Sequence, residues 1–138
     1  MKARVKWVED MSFLGITESG HAILMDGPPD AGGRNLGPRP MEMLLLGAGG
    51  CTSFDVVLIL KKGRHTVTDC EVEIAAERAT SDPKVFTKIH LHFIISGKDL
   101  KSEAVKRAID LSAEKFCSAT IMLGKTAKIT HDFHIIEK

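Results

Sequence analysis

Aromatic residues are scarce in this chain of 138 residues: six phenylalanines, one tryptophan and no tyrosine. Scattered as they are, they offer no stacking surface for single-stranded nucleic acid. Charge imbalance is missing too, since 19 basic residues face 18 acidic ones and leave a net charge of +1. Without a basic patch there is no electrostatic footprint for a phosphate backbone, so nucleic acid is excluded as the expected partner. Cysteine is limited to Cys51, Cys70 and Cys117. An odd number at wide spacing is neither an extracellular disulfide framework nor a zinc motif, and in a reducing compartment such thiols are more often redox-active. The N-terminal MKARVKWVEDM interleaves charges with apolar residues and lacks the apolar run of a signal peptide, so a cytoplasmic location is expected. Internal repeats, charge blocks and low-complexity segments are absent. The length suits one domain over residues 1–138, large enough to build a core without disulfides or metals.

The most informative stretch present is Pro40–Lys62, PMEMLLLGAGGCTSFDVVLILKK. Between Glu42 and Lys61 its only formal charge is Asp55. A helix built from it is apolar around most of its circumference and is expected to be buried as the core element. Pro40 suits the first helical turn, Glu42 favours the positive end of the helix dipole, and Lys61, Lys62 and a left-handed Gly63 suit the end. The stretch is also long enough to span a bilayer, but three glycines and Asp55 oppose insertion, and no membrane association is expected. Helical spacing from Cys51 puts Leu44, Gly47, Ala48, Asp55 and Leu58 on its side of the helix. A free cysteine inside such an element is often a small core hydrophobe. Flanked by Gly49, Gly50, Thr52 and Ser53, it is also the first place to look for chemistry.

Residues 2–9 alternate as a strand with one wet face, and two further apolar runs around Phe13–Ile16 and His21–Met25 complete three antiparallel strands. The Gly- and Pro-rich segment 26–39 is a long loop. Residues 66–79 and 85–96 form a long hairpin, with Cys70 among its core-facing positions. Ser102 is placed to cap an amphipathic helix over 103–116, whose apolar stripe includes Val105, Ala108, Ile109, Leu111, Ser112 and Ala113. A short helical turn at 120–123 and a strand at 127–136 close the chain. The order βββ-α-ββ-α-α-β argues for an α+β domain.

A cysteine following PMEMLLLGAGG, together with a second one in AIDLSAEKFCS, resembles the OsmC/Ohr family of hydroperoxide-reducing proteins, most closely its YhfA-like branch. The resemblance runs nearly the whole length of the chain. It implies an OsmC-like fold of antiparallel sheets around a long buried central helix, in an intertwined homodimer with sites at the subunit interface. It further implies that Cys51 is the reactive cysteine and Cys117 the second, resolving one. The family's acid follows the helix-opening proline directly; here that place is Met41, and Glu42 lies one residue on, a turn of about 100°. Arg34 and Arg39 are the candidates for the family's arginine, while Arg4 lies on a strand. Ser118 stands where the family usually has proline after the second cysteine.

Peroxide reduction requires a thiolate, and an unperturbed thiol of pKa about 8.5 is only a few per cent ionised at pH 7. Burial opposes ionisation, so a cation such as Arg34 or Arg39 is needed. Attack leaves Cys51 as a sulfenic acid, which condenses with Cys117 if the two Cα atoms approach within about 7 Å. An external dithiol would then reduce the disulfide. An apolar site wall would favour organic or lipid hydroperoxides over hydrogen peroxide. A binding module is the rival reading, with a small apolar or acyl ligand held in the same pocket without turnover. Histidine-based metal binding by His90, His92, His131 and His134 finds no supporting spacing, because histidines alternating on a strand are more often solvated or hydrogen-bonded. No cofactor is expected.

Overall fold

The computed structural model describes residues 1–138, which divide into two compact units, 1–46 and 47–138. In the first, β1 (Ala3–Glu9), β2 (Ser12–Thr17) and β3 (Ala22–Met25) form an antiparallel sheet in sequence order. The turn between β2 and β3 needs Gly20, whose φ of +89° is one that side chains rarely tolerate. The expected wet and dry faces of β1 are not realised in the chain by itself. All seven residues are exposed, including Trp7 and Val5 on its apolar alternation.

The Gly- and Pro-rich loop that follows contains one short 3-10 turn, Pro29–Ala31. It is organised by Asp26, whose buried carboxylate accepts the backbone N–H groups of Gly27, Arg34 and Leu36. Burial pushes this carboxyl up, but the three N–H donors and the Arg34 charge outweigh it and hold it below the usual range. Gly37 lies so close to the Leu24 backbone that no side chain fits there.

Helix α1 runs over Pro40–Lys62, as the sequence predicts, and passes into the second unit. That unit adds β4 (Thr66–Arg78), β5 (Phe86–Lys98), α2 (Ser102–Leu111), a single π-helical turn (Ser112–Phe116), α3 (Ser118–Leu123) and β6 (Lys128–Glu137). The second sheet has the order β4-β5-β6. β4 and β5 form the expected antiparallel hairpin, but β5 and β6 are parallel, which corrects the expectation of purely antiparallel sheets. The connection through α2 and α3 is long enough to return the chain to the same sheet edge in the same direction, as a parallel neighbour requires. Ile89, Leu91, Phe93 and Ile95 of β5 supply the buried face, with Val105, Ala108 and Ile109 of α2.

Within the single chain, α1 is buried along one side and not around most of its circumference. Its buried residues are Ala48, Gly49, Thr52, Val56 and Leu60, one stripe at helical spacing. Phe54 on another face is 70% exposed. Within that stripe Gly49 allows close packing, since a Cβ there would lie 2.7 Å from Ile74 Cδ1. Three termini differ from expectation in detail. The left-handed residue after α1 is Arg64 (φ +63°) rather than Gly63. Lys101, with no side-chain hydrogen bond, precedes α2, and Ser102 is its first helical residue rather than its cap. The helix expected over 103–116 changes at Ser112 into the π turn, closed by Cys117 N–H donating to Ser112 O at 2.8 Å.

Candidate active site

Cys51 lies mid-helix on α1, and Asp55, one turn later, shares its side of the helix. Cys117 arrives from the other direction. The π turn ends in an extended residue at Cys117, which opens α3, and its Sγ accepts the Thr120 backbone N–H at 3.4 Å. The two sulfurs and a carboxylate oxygen of Asp55 all lie within 4.8 Å of one another. Residues 66 positions apart in the chain are thus brought side by side, within the second unit alone.

A hydrogen-bonded chain supports the acid. Ser112 Oγ donates to Asp55 Oδ2 at 3.0 Å, and 2.8 Å away the Thr52 hydroxyl completes the chain. A serine has one proton to give, so Ser112 accepts from Thr52 while it donates to the carboxylate. Thr52 and Ser112 are buried, and each finds its partner in this chain. Thr52 and Ser112 are the site residues that the sequence reading missed. Ser112 was readable as the lone hydroxyl in an otherwise apolar stripe, a position that demands a partner.

Cys117 is fully buried. Burial pushes its thiol above the ordinary value and the adjacent Cys51 adds to the effect, against the bonds from Thr120 that favour the thiolate. Cys70 is half-buried on β4, and burial raises its thiol as well, offset by a hydrogen bond with Ser53. It belongs to the packing, as the sequence suggests, and is not a member of the cluster.

The remaining predicted residues lie in the first unit. Arg34 pairs with Glu9 at 3.1 Å and Asp10 at 3.2 Å. Arg39 donates to Asn35 Oδ1 at 2.6 Å and to Gly37 O. Glu42 Oε1 accepts the Arg39 backbone N–H at 2.8 Å, which satisfies a free donor at the start of α1 in the manner of a capping box. The histidines are engaged otherwise. His90 Nε2 and His92 Nδ1 share Asp132 Oδ1 at 2.9 and 2.8 Å, and His90 also bonds Thr130. The His92 bond is the first cause holding the Asp132 carboxyl below its usual range.

Beside the cluster, a cavity of about 310 Å³ opens between the second sheet, α2 and α3. Leu91, Phe93, Ile109 and Ile121 make it largely apolar, and Thr52 and Thr120 reach its wall. Those two threonines tie it to the site, since Thr52 follows Cys51 and Thr120 bonds Cys117. Chemically, the arrangement sets two free thiols beside an anchored carboxylate and an apolar recess.

Residues 32–132 match the family model described as OsmC-like protein. The chain is 55% identical over 136 residues to protein YhfA of Escherichia coli strain K12, covering 99% of this chain and 98% of that one. Among solved structures it is similar to a hypothetical protein from Aquifex aeolicus VF5, with a TM-score of 0.87 at 26% identity, covering 99% and 96% of the two chains. It shares its fold with the organic hydroperoxide resistance protein OhrB of Bacillus subtilis, with a TM-score of 0.63 at 17% identity over 97% and 98%. Sequence match and architecture agree, and the chain belongs to the OsmC-like family.

Proposed function

We propose that this protein reduces organic hydroperoxides by a two-cysteine cycle. The observation that carries the reading is the approach of Cys51 and Cys117, with both sulfurs within 4.8 Å of the same carboxylate oxygen and of each other. The Cys51 thiolate attacks the outer oxygen of ROOH, the O–O bond breaks, and with one proton the products are ROH and Cys51 sulfenic acid. The Cys117 thiol then displaces water to give the Cys51–Cys117 disulfide. An external dithiol restores both thiols and is itself oxidised. Cys51 is the nucleophile because it is the more accessible of the two, and the buried Cys117 is the resolving thiol. Arg34 and Arg39 remain the candidates for the cation that favours the thiolate, and Glu42 fixes the Arg39 backbone at the start of α1. The apolar cavity favours hydroperoxides with a hydrocarbon tail over hydrogen peroxide. The working form is a homodimer in a reducing, cytoplasmic setting. Solved relatives bear the name of organic hydroperoxide resistance proteins, which is consistent with this reading.

One equivalent of cumene hydroperoxide added to the reduced protein is expected to yield a Cys51–Cys117 disulfide in peptide mass spectra. Thiols left unmodified after long exposure would overturn the cycle. The cavity favours a second reading, a carrier for a small apolar or acyl ligand. Cys51→Ser separates the two, since it abolishes peroxide consumption in an enzyme and leaves affinity nearly intact in a carrier.

A further inference from the structure

We propose that the reduced protein also binds one thiophilic divalent cation, of the zinc or cadmium class, through Cys51 Sγ, Cys117 Sγ and a carboxylate oxygen of Asp55. Three donors from two separate elements already lie within 4.8 Å of one another. Two sulfurs on a tetrahedral zinc at 2.3 Å are about 3.8 Å apart, so side-chain rotation of roughly 1 Å completes the geometry. Two thiolates with one carboxylate form a soft donor set that selects zinc-like ions over magnesium or calcium. The fourth position is left to water.

Two features distinguish this cluster from a chance meeting of side chains. The carboxylate is held from behind by Ser112, itself bonded to Thr52, the outer-shell support that ligating carboxylates characteristically have. Moreover, Cys117 is fully buried at the start of α3, so its sulfur is placed by the fold and is not on a mobile surface side chain. The His90, His92 and Asp132 group is the competing candidate. Its ring nitrogens already bond Asp132 Oδ1, and all three side chains are one-third exposed or more.

Binding displaces the thiol protons that remain, at most two per ion, and forms two metal–sulfur bonds. Any disulfide between the cysteines removes both donors, so metal loading and oxidation exclude each other. A consequence that rests on the peroxidase reading is that the cation inhibits turnover until it is removed.

The test titrates cadmium into the reduced, oxygen-free protein, with no peroxide present, and follows the thiolate-to-cadmium absorption in the ultraviolet. The expected result is one ion per chain. Cys51→Ser and Cys117→Ser should each halve the band and weaken binding at least 100-fold, Asp55→Asn should weaken it about tenfold with the band retained, and Cys70→Ser and His92→Ala should change nothing. In the unmodified protein, where folding of a variant is not at issue, cadmium should protect the half-buried Cys51 from alkylation and leave Cys70 reactive. A band of undiminished height in both cysteine variants, or protection that fails at Cys51, overturns the proposal. Because the readout involves no peroxide, a protein that binds cadmium yet ignores peroxide sinks only the enzymatic reading. An active peroxidase without the band sinks only the metal site.

Discussion

At the scale of single residues, the two sulfurs are not equivalent. The Cys117 thiol ionises above its ordinary value, chiefly because it is buried. At pH 7 even an unshifted thiol, of pKa about 8.5, is only a few per cent thiolate, and Cys117 is less. Raising pH increases the reactive fraction about tenfold per unit until the raised pKa is reached. Disulfide formation from oxidised Cys51 is therefore expected to accelerate steadily from pH 7 to 9 in stopped-flow traces. A plateau below pH 8 would contradict the burial argument. Ser112 provides a second test. Ser112→Ala leaves the buried Thr52 hydroxyl without a partner and is expected to destabilise the fold by about 1–3 kcal/mol in urea unfolding, whereas Ser112→Thr, which keeps the hydroxyl, should recover most of it. Sequence reasoning reached Asp55 because i and i+4 share a helix side. It could not reach its bond to Ser112, because a contact across 57 positions depends on how α2 lies on α1.

Among the elements, α1 was the most legible, since Pro40 and the two lysines mark its ends and both were found there. Its packing was not legible, because an almost wholly apolar helix carries no contrast to say which stripe faces the sheet. The structure selects the stripe through Ala48, Gly49, Thr52, Val56 and Leu60 and leaves Gly47 and Gly50 exposed. Gly49→Ala is expected to be nearly neutral, as the tip of Ile74 can swing aside and the helix gains about 1 kcal/mol from the lost glycine. Gly49→Val should cost about 1–3 kcal/mol by overpacking, read as a lowered urea midpoint. The π turn was invisible beforehand for a different reason. The 3.6-residue period continues through Ser112 and Ala113, and only the i to i−5 bond at Cys117 records the extra residue in the turn. That turn, ending in an extended residue, is what presents Cys117 to Cys51.

For the molecule as a whole, the homodimer proposed above bears on its exposed apolar residues. Trp7, Val5, Leu46 and Phe54 are each more than half exposed, which is more than a lone chain in water comfortably carries. In the proposed homodimer these positions are covered. Phe54→Asp, which alters no buried contact within the chain, is accordingly expected to shift the protein from dimer to monomer in sedimentation velocity. An unchanged sedimentation coefficient would remove Phe54 from the interface.

By itself the sequence determined the α+β class, the order of the elements and the extent of α1, because these follow from local periodicity and from Pro, Gly and charge at element ends. It also singled out Cys51, and the resemblance of its surroundings to OsmC-like proteins pointed to Cys117. Packing in three dimensions was needed to set β6 parallel to β5, to turn one stripe of α1 inward, and to bring Cys51, Asp55 and Cys117 together with Ser112 and Thr52 behind the acid. The physical reason is the same in each case. Such contacts join distant segments, and their geometry depends on how faces pack, which one-dimensional patterns of hydrophobicity do not encode.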